Sequence, residues 1–127
     1  MTTINPSLVL GAPLDSHYGT SLALIERLMS GKDPAMPPFG FGIVDVADTS
    51  AMHIAAMDRP SSAGNRYIGA AASLSMTEIA RHLAAAYPDR KIATRTAPKW
   101  LLRMLALFDP SIRMILPQLG HQPEFDT

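Results

Sequence analysis

Short strand-like runs alternate along the chain with segments of helical periodicity, and this order limits the folds that the chain can form. Residues 7–10 are mostly apolar and lie between Pro6 and Gly11, as in strands that are buried in a parallel sheet. The apolar spacing over residues 20–30 then predicts a helix, which Gly31 ends. Such alternation predicts an α/β chain in which at least some of the strands are parallel.

The middle of the chain continues this pattern. FGIV and RYIGA predict two further short strands, and KIATRT predicts another. After FGIV, Asp45 stands at the expected N-cap of a helix and Asp48 in its first turn, where a carboxylate complements the helix dipole. Ser75 and Glu78 have the spacing of a capping box and predict the start of another helix.

The most apolar helical segment lies near the C-terminus. Pro98 suits the first turn of a helix that runs to Phe108, and its apolar residues nearly encircle the axis, which predicts packing on more than one side. A shorter helix is expected after Pro110. Charged residues such as Arg103 interrupt the apolar stretch, so it does not form a membrane span of about 20 apolar residues. We therefore expect no membrane span and a soluble protein.

Composition excludes several classes of function. The chain has 127 residues, enough for a single domain over 1–127 with one ordinary core. Eleven basic and eleven acidic residues give zero formal charge, so no overall field attracts a polyanion, and we expect no nucleic-acid partner. There is no cysteine, which excludes disulfides, thiolate nucleophiles and zinc-thiolate sites and suits the cytoplasm, where we expect the protein to be located.

The segment YPDRK has the spacing of a catalytic pair. On one face of a helix, the Lys91 ammonium could lower the pKa of the Tyr87 phenol and let it donate a proton to a substrate. However, Pro88 disfavours a helical conformation at Tyr87. We therefore interpret YPDRK as a turn at the end of a helix, with Tyr87 closing the apolar face of that helix.

Other motifs identify no catalytic residue in the chain. The four histidines lack metal-ligand spacing, so no metal is expected, and His53 is expected to be partly buried with one ring nitrogen hydrogen-bonded. His17 lies in the loop after the first strand, where α/β proteins bind ligands, and is kept as a candidate substrate contact. The chain contains no GxSxG, GxGxxG or GxxxxGK[ST] motif.

Three segments in order carry a family resemblance: INPSLVLGAPL, GFGIVDVADTSAMHIAAM and GNRYIGAAASLSMTEIARHLAAAYP. Together they resemble the C-terminal part of an extended short-chain dehydrogenase/reductase, most similar to the dihydroflavonol-4-reductase-like branch of the NAD-dependent epimerase/dehydratase proteins. The resemblance covers nearly the whole chain. It implies the C-terminal portion of an extended Rossmann-type reductase, with short, partly parallel strands alternating with helices. The implied single substrate-domain-like segment, 1–127, begins with a late Rossmann-core strand at about residues 3–10, and the N-terminal dinucleotide-binding core is absent.

The resemblance also implies site residues, most of which lie near the first strand and the first helix. The implied cofactor-binding residues are Pro6, Ser7, Leu8, Val9 and Ser21. Leu24, Gly40 and Phe41 match positions that shape the substrate pocket, and His17 is added from its place in the loop. The ends of parallel strands beside a helix N-terminus are common ligand sites in α/β proteins. An ordinary strand-to-helix turn remains an open alternative.

The function implied is hydride transfer between NAD or NADP and a small-molecule carbonyl or alcohol. The family's glycine-rich loop, and its catalytic Ser with Tyr-x-x-x-Lys on a long helix, are missing from these 127 residues. We therefore expect the chain alone to be catalytically inactive and not to bind the cofactor tightly. Two alternatives stay open: a non-catalytic binding or assembly module that self-associates through exposed apolar surface, or a truncated remnant. The substrate and the choice between NAD and NADP are not determined.

Overall fold

Five strands and four α-helices alternate along the part of the chain that a computed structural model describes, residues 1–17, 19–105 and 107. In chain order they are β1 (Thr3–Pro6), β2 (Leu8–Leu10), α1 (Thr20–Met29), β3 (Gly40–Asp45), α2 (Val46–Asp58), β4 (Arg66–Gly69), β5 (Ala72–Ser75), α3 (Met76–Ala86) and α4 (Lys99–Leu105), with a short 3-10 helix (Pro60–Ser62) after α2. The predicted α/β class is confirmed.

The N-terminal apolar run is divided between two sheets, whereas the sequence predicted one strand over about residues 3–10. β1 pairs in parallel with β4, and β2 pairs in parallel with β3, which also pairs antiparallel with β5. The chain crosses from one sheet to the other at Ser7, whose N–H donates to the Gly69 carbonyl at 2.8 Å. The predicted parallel pairing is confirmed, but the single strand is wrong, because an apolar run indicates burial without indicating the sheet that buries it.

Local capping interactions begin the helices where the sequence predicts. Asp45 caps α2, since its Oδ1 accepts from the Ala47 N–H at 2.7 Å. At α3, Glu78 donates its N–H to Ser75 Oγ and accepts the Ser75 N–H at its own carboxylate, which is a complete capping box. After α1, Gly31 has a φ of 67°, the left-handed conformation that glycine adopts without a steric cost.

The core packs α1 and α3 around the loop between α1 and β3. Its buried residues are Leu28, Met36, Phe39, Met76, Ile79 and Ala80. In contrast, none of the α2 residues, all of which the structure describes, is buried. The helices α1 and α3 therefore hold the three-stranded side of the molecule together, while the β1–β4 sheet and α2 lie at its more exposed side.

Two predictions of strands and burial differ from the structure. KIATRT forms a loop in which Thr96 makes one isolated parallel bridge, to Met36. A single bridge does not form a strand, which needs several consecutive paired residues. β5 was not predicted at all. His53 is exposed, although its Nδ1 lies 2.8 Å from the Thr49 carbonyl oxygen as the predicted hydrogen bond requires. The burial was wrong because the helical pattern does not show which face of α2 is covered.

The C-terminal helix begins where Pro98 predicts. The Pro98 carbonyl accepts from the Leu101 N–H at 3.0 Å, and α4 follows from Lys99. The predicted continuation to Phe108 and the helix after Pro110 lie outside the described residues. Across residues 1–17, 19–105 and 107, no helix has the length and apolar character needed to cross a bilayer.

Candidate functional site

Four of the predicted cofactor-binding residues, Pro6 to Val9, lie at the crossing between the two sheets, and the fifth, Ser21, lies on α1. Pro6 ends β1 and is exposed, whereas Ser7, Leu8 and Val9 are half-buried. The hydrogen bond from the Ser7 N–H to the Gly69 carbonyl holds this crossing against β4. Pro6, at the carboxyl end of β1, and Leu8, at the amino end of β2, are therefore separated only by Ser7. The carboxyl end of a parallel strand such as β1 is the kind of position where α/β proteins bind ligands.

Val9 and His17, predicted on separate grounds, line the same cavity. It has a volume of about 300 Å³ and lies between the end of β2, the loop after it, α1 and α2. Asp15 Oδ1 accepts from the His17 N–H at 2.7 Å, which closes a tight turn and sets the direction of the loop. His17 itself is exposed.

A glycine is required at the floor of this cavity. Gly11 has a φ of 154°, and a Cβ placed on it would lie 2.5 Å from Cγ1 of Val46. Any side chain at position 11 would therefore collide with the first residue of α2. Leu22 and Val46 also line the cavity and were not identified from the sequence, because they come together only when the two helices pack beside β2.

Ser21 and Leu24 lie one helical turn apart on α1. Residues at positions i and i+3 share a helix face, with Cβ atoms about 5–6 Å apart. Both side chains are half-buried, and Ser21 is in the first turn of the helix, as predicted. Gly19, the N-cap, has no side chain to accept from the first N–H groups, which leaves these donors without an intrahelical acceptor.

The remaining predicted substrate residues lie deeper, in and beside the core. Leu24 lines a second cavity of about 240 Å³, together with Met36, Phe39 and Met76. Phe41 packs edge-to-face on Phe39, with ring centroids 5.2 Å apart. The structure thus groups Val9 with His17 and places Leu24 at a different cavity. Of the four residues named above as lining the second cavity, sequence analysis had identified only Leu24 as a site residue.

Gly40 has a structural constraint of its own. It is buried in β3 opposite Ser75 of β5, and a Cβ on it would lie 2.7 Å from the Leu74 carbonyl oxygen. The backbone of the two strands approaches too closely for a side chain. Gly40 therefore has a structural role, because it lets β3 and β5 approach each other closely.

The YPDRK segment does not form a helical Tyr-x-x-x-Lys pair. α3 ends at Ala86, and Tyr87 has φ −129° and ψ 70°, outside the helical region. The Arg90 N–H donates to the Tyr87 carbonyl at 3.0 Å, which forms a turn. The interpretation of this segment as a turn is confirmed, although Tyr87 is 49% exposed and closes little of the apolar face.

The titratable side chains of the described residues provide no metal site, and Glu78, whose pKa is lowered, lies at neither cavity. No group of three or more His, Asp or Glu side chains in that part of the chain is placed to hold a metal ion. The hydroxyl of Ser75, and then its backbone N–H, hold the pKa of Glu78 below its ordinary value. This effect belongs to the helix cap and not to either cavity.

Comparison with known proteins agrees with this arrangement of strands and helices. No family model matches the chain. It is 33% identical over 95 residues to cinnamoyl-CoA reductase 2 of Arabidopsis thaliana, a match that covers 75% of this chain and 28% of the relative. It is 30% identical over 125 residues to a putative dihydroflavonol 4-reductase of Synechocystis, covering 94% of this chain and 34% of the relative. The chain is homologous to the C-terminal part of dihydroflavonol-4-reductase-like extended short-chain dehydrogenases/reductases.

Solved structures of such reductases have the same fold in this part. The yeast methylglyoxal/isovaleraldehyde reductase Gre2, complexed with NADPH, matches with a TM-score of 0.64 and 28% identity, over 73% of this chain and 30% of Gre2. Vestitone reductase from alfalfa matches with a TM-score of 0.67 over 99% of this chain and 35% of its own, and at 20% identity it shows the fold alone. The chain thus spans about a third or less of the relatives and structures that it matches.

Proposed function

We propose that residues 1–127 form the substrate-side segment of an NAD(P)-dependent reductase that transfers a hydride between nicotinamide and a carbonyl or alcohol. The observation that carries this proposal is the crossing at Ser7, where the carboxyl end of parallel strand β1 meets the start of parallel strand β2 in a chain homologous to reductases. One of the structural neighbours, Gre2, was solved with NADPH bound. Together with the start of α1, this crossing offers the polar groups that a nicotinamide carboxamide needs.

The roles of the residues follow from their positions. The nicotinamide side is lined by Pro6, Ser7, Leu8 and Val9. Ser21 contacts the cofactor from the first turn of α1, where N–H groups without an intrahelical acceptor favour polar or anionic ligand groups. When bound, the cofactor supplies the hydride. His17, Leu24, Gly40 and Phe41 lie on the substrate side. The protein is further proposed to act in the cytoplasm, for which its lack of cysteine is the support.

Proton transfer requires a group that residues 1–17, 19–105 and 107 do not place in position. A tyrosine whose pKa is lowered by a nearby lysine is suited to this role, but Tyr87 and Lys91 are separated by a turn. We expect the purified 127-residue chain to oxidise no NADPH above background with methylglyoxal or isovaleraldehyde, and to bind NADPH weakly. Cofactor-dependent turnover by homogeneous protein would overturn this part of the proposal.

A chimera tests the reductase role directly. The N-terminal part of Gre2, up to the point where the match begins, would be joined to residues 1–127. We expect aldehyde-dependent NADPH oxidation, and in the Ser21→Ala variant a KM for NADPH raised by about 3- to 10-fold, the effect of one lost hydrogen bond. Ser61→Ala, in an exposed 3-10 helix residue, is the matched control. A folded chimera that binds NADPH but reduces no aldehyde would overturn the proposal.

A second candidate, an assembly module, is favoured by a different observation. Ile68 of β4 is 57% exposed, and Ile54 and Met57 of α2 are 56% and 77% exposed. Exposed apolar side chains that form one contiguous patch are typical of surfaces that another protein covers. Self-association of the isolated chain would use this side of the molecule.

A further inference from the structure

Several backbone polar groups in the walls of the second cavity, beside α1 and α4, are hydrogen-bonded to one another. The Met36 N–H donates to the Arg95 carbonyl, and the Ala97 N–H donates to the Met36 carbonyl, both at 2.7 Å. The Met76 N–H donates to the Phe39 carbonyl at 2.9 Å. Because these groups pair with one another, the wall presents mainly the side chains of apolar residues to the cavity.

Charge at the cavity is balanced. Among the described residues that line it, Arg27 and Asp33 are the two charged ones. They form a bidentate ion pair, with Nε and a terminal guanidinium nitrogen donating to the carboxylate at 2.9 and 2.8 Å. An anionic ligand would have to compete with Asp33 for the guanidinium. Burial of a carboxylate without a partner is costly, so the cavity is suited to an uncharged ligand.

The volume of the cavity limits the size of the ligand that it can hold. The cavity volume of about 240 Å³ exceeds the roughly 150 Å³ of an apolar cavity that holds benzene. It lies below the roughly 300–1,000 Å³ that is typical of pockets for drug-sized ligands. A group of one or two fused rings, or a branched aliphatic chain of similar volume, fits this space.

The position of the cavity connects it with the proposed cofactor site. Ser21, Leu24 and Leu28 have the spacing of one helix face, and the last two line the cavity. The cavity therefore begins one turn of α1 from the residue assigned to the cofactor. A substrate whose carbonyl lies near Ser21 could extend along this face into it.

We propose that this cavity receives the uncharged, apolar tail of the carbonyl substrate, so that the substrates are hydrophobic aldehydes or ketones with no charged group on that tail. The assignment rests on the proposed reductase function. It identifies Met36, Phe39 and Met76 as specificity-determining residues in addition to Leu24.

Methionine-methyl NMR on the 127-residue chain tests the proposal without cofactor or turnover. Met36 and Met76 line the cavity, and Met57, which is 77% exposed, reports non-specific adsorption. The probe is 2-acetonaphthone, and its anionic counterpart is 6-acetyl-2-naphthoate, which keeps the carbonyl and carries a carboxylate at the far end of the rings. We expect 2-acetonaphthone to shift the Met36 and Met76 signals saturably and not that of Met57. We expect 6-acetyl-2-naphthoate to bind at least about tenfold more weakly, since its carboxylate would be buried in the cavity without a partner.

Filling the cavity provides the matched variants. Ala97 is 5% exposed and lines the cavity, so Ala97→Phe is expected to abolish the shifts, whereas Ala51→Phe on the exposed surface of α2 leaves them unchanged. If Ala97→Phe does not fold, Ala35→Phe at a half-buried lining position replaces it.

Three results would overturn the proposal that this cavity holds the substrate tail: no shift at Met36 and Met76, an equal shift at Met57, or equal affinity for 6-acetyl-2-naphthoate. None of these bears on NADPH oxidation by the chimera. Conversely, a folded but inactive chimera would overturn the reductase function and leave the binding result standing as that of an apolar ligand site.

Discussion

Ser75 and Glu78 hold each other at the start of α3 through three hydrogen bonds. The N–H and the hydroxyl of Ser75 both donate to Glu78 Oε2 at 2.7 Å, and the Glu78 N–H donates to Ser75 Oγ at 3.2 Å. The pKa of Glu78 is therefore lower in the folded protein than in the unfolded chain, with the Ser75 hydroxyl as the largest cause. The stabilisation is present above the unfolded pKa and is lost as the pH falls through the folded pKa.

Removal of this cap should have an effect that depends on pH. We expect Ser75→Ala to lower the free energy of unfolding by about 1 kcal/mol at neutral pH, as for other N-cap substitutions. The loss should be smaller near pH 3, below the ordinary glutamate pKa, because protonation of Glu78 weakens the hydrogen bond that its carboxylate accepts from the Ser75 hydroxyl. Urea unfolding at both pH values measures this, with Ser61→Ala as a control. An equal or larger loss near pH 3 would contradict the assignment.

Substitution of Tyr87 tests whether the Tyr-x-x-x-Lys spacing is catalytic when the tyrosine is not in a helical conformation. In the active chimera, we expect Tyr87→Phe to change kcat/KM by less than about threefold, because the residue lies at the end of α3 and outside helical geometry. A general acid would contribute about 10²- to 10⁴-fold. Steady-state kinetics at saturating NADPH measure the effect. A thousandfold loss in a variant that remains folded would show that Tyr87 is catalytic.

At the scale of elements, β3 is the strand on which the three-stranded sheet depends. It pairs in parallel with β2 on one side and antiparallel with β5 on the other. At Gly40, the carbonyl oxygen of Leu74 and the Cα of Ser75 lie where a side chain would stand. These are backbone atoms, so they cannot move aside as a flexible side chain can.

Gly40→Ala should therefore destabilise the protein strongly. We expect a loss of about 1–3 kcal/mol in the free energy of unfolding, as for other overpacked sites. Gly19→Ala is the matched control, because a Cβ at Gly19 has no described atom within 4 Å. Urea unfolding of both variants measures the difference. Equal stability of the two variants would show that β3 and β5 can separate to admit a methyl group.

At the scale of the whole molecule, the two sheets are covered to different degrees. The three-stranded sheet lies against the core, whereas β1 and β4 pair only with each other within the described ranges and each leaves an edge unpaired there. Tyr67 and Ile68 of β4 are 40% and 57% exposed. The sequence predicted packing on more than one side for the helix after Pro98, where Trp100 is 65% exposed, and the structure shows exposed apolar side chains on β4 and α2 as well.

Exposed apolar side chains beside a free strand edge favour association between molecules. We expect the 127-residue chain to show a molecular mass above that of a monomer by light scattering, increasing with concentration, and to bind a hydrophobic dye. Ile68→Lys should reduce both, because it places a charge beside the free edge. Ala85→Lys, on the exposed surface of α3, is the control. A compact monomer without dye binding would contradict this expectation.

The candidate site was predicted in separate parts. His17 was chosen from its loop and Val9 from the family resemblance, and the fold brings both to one cavity. Leu24 was predicted without its neighbours Met36 and Met76, which come from a loop and from α3. Helical periodicity assigns these residues to a core, but it does not show where packing leaves a cavity.

The sequence by itself determined the α/β class, the starts of α2 and α3 and the end of α1, because capping and glycine conformation depend on residues within a few positions of each other. Only the tertiary structure decided that the first apolar run divides at Ser7, that KIATRT is a loop and that the cavities lined by Val9 and by Leu24 lie beside α1. Strand partners and cavities depend on contacts between residues distant in sequence, and local propensity contains no information about which of those contacts will form.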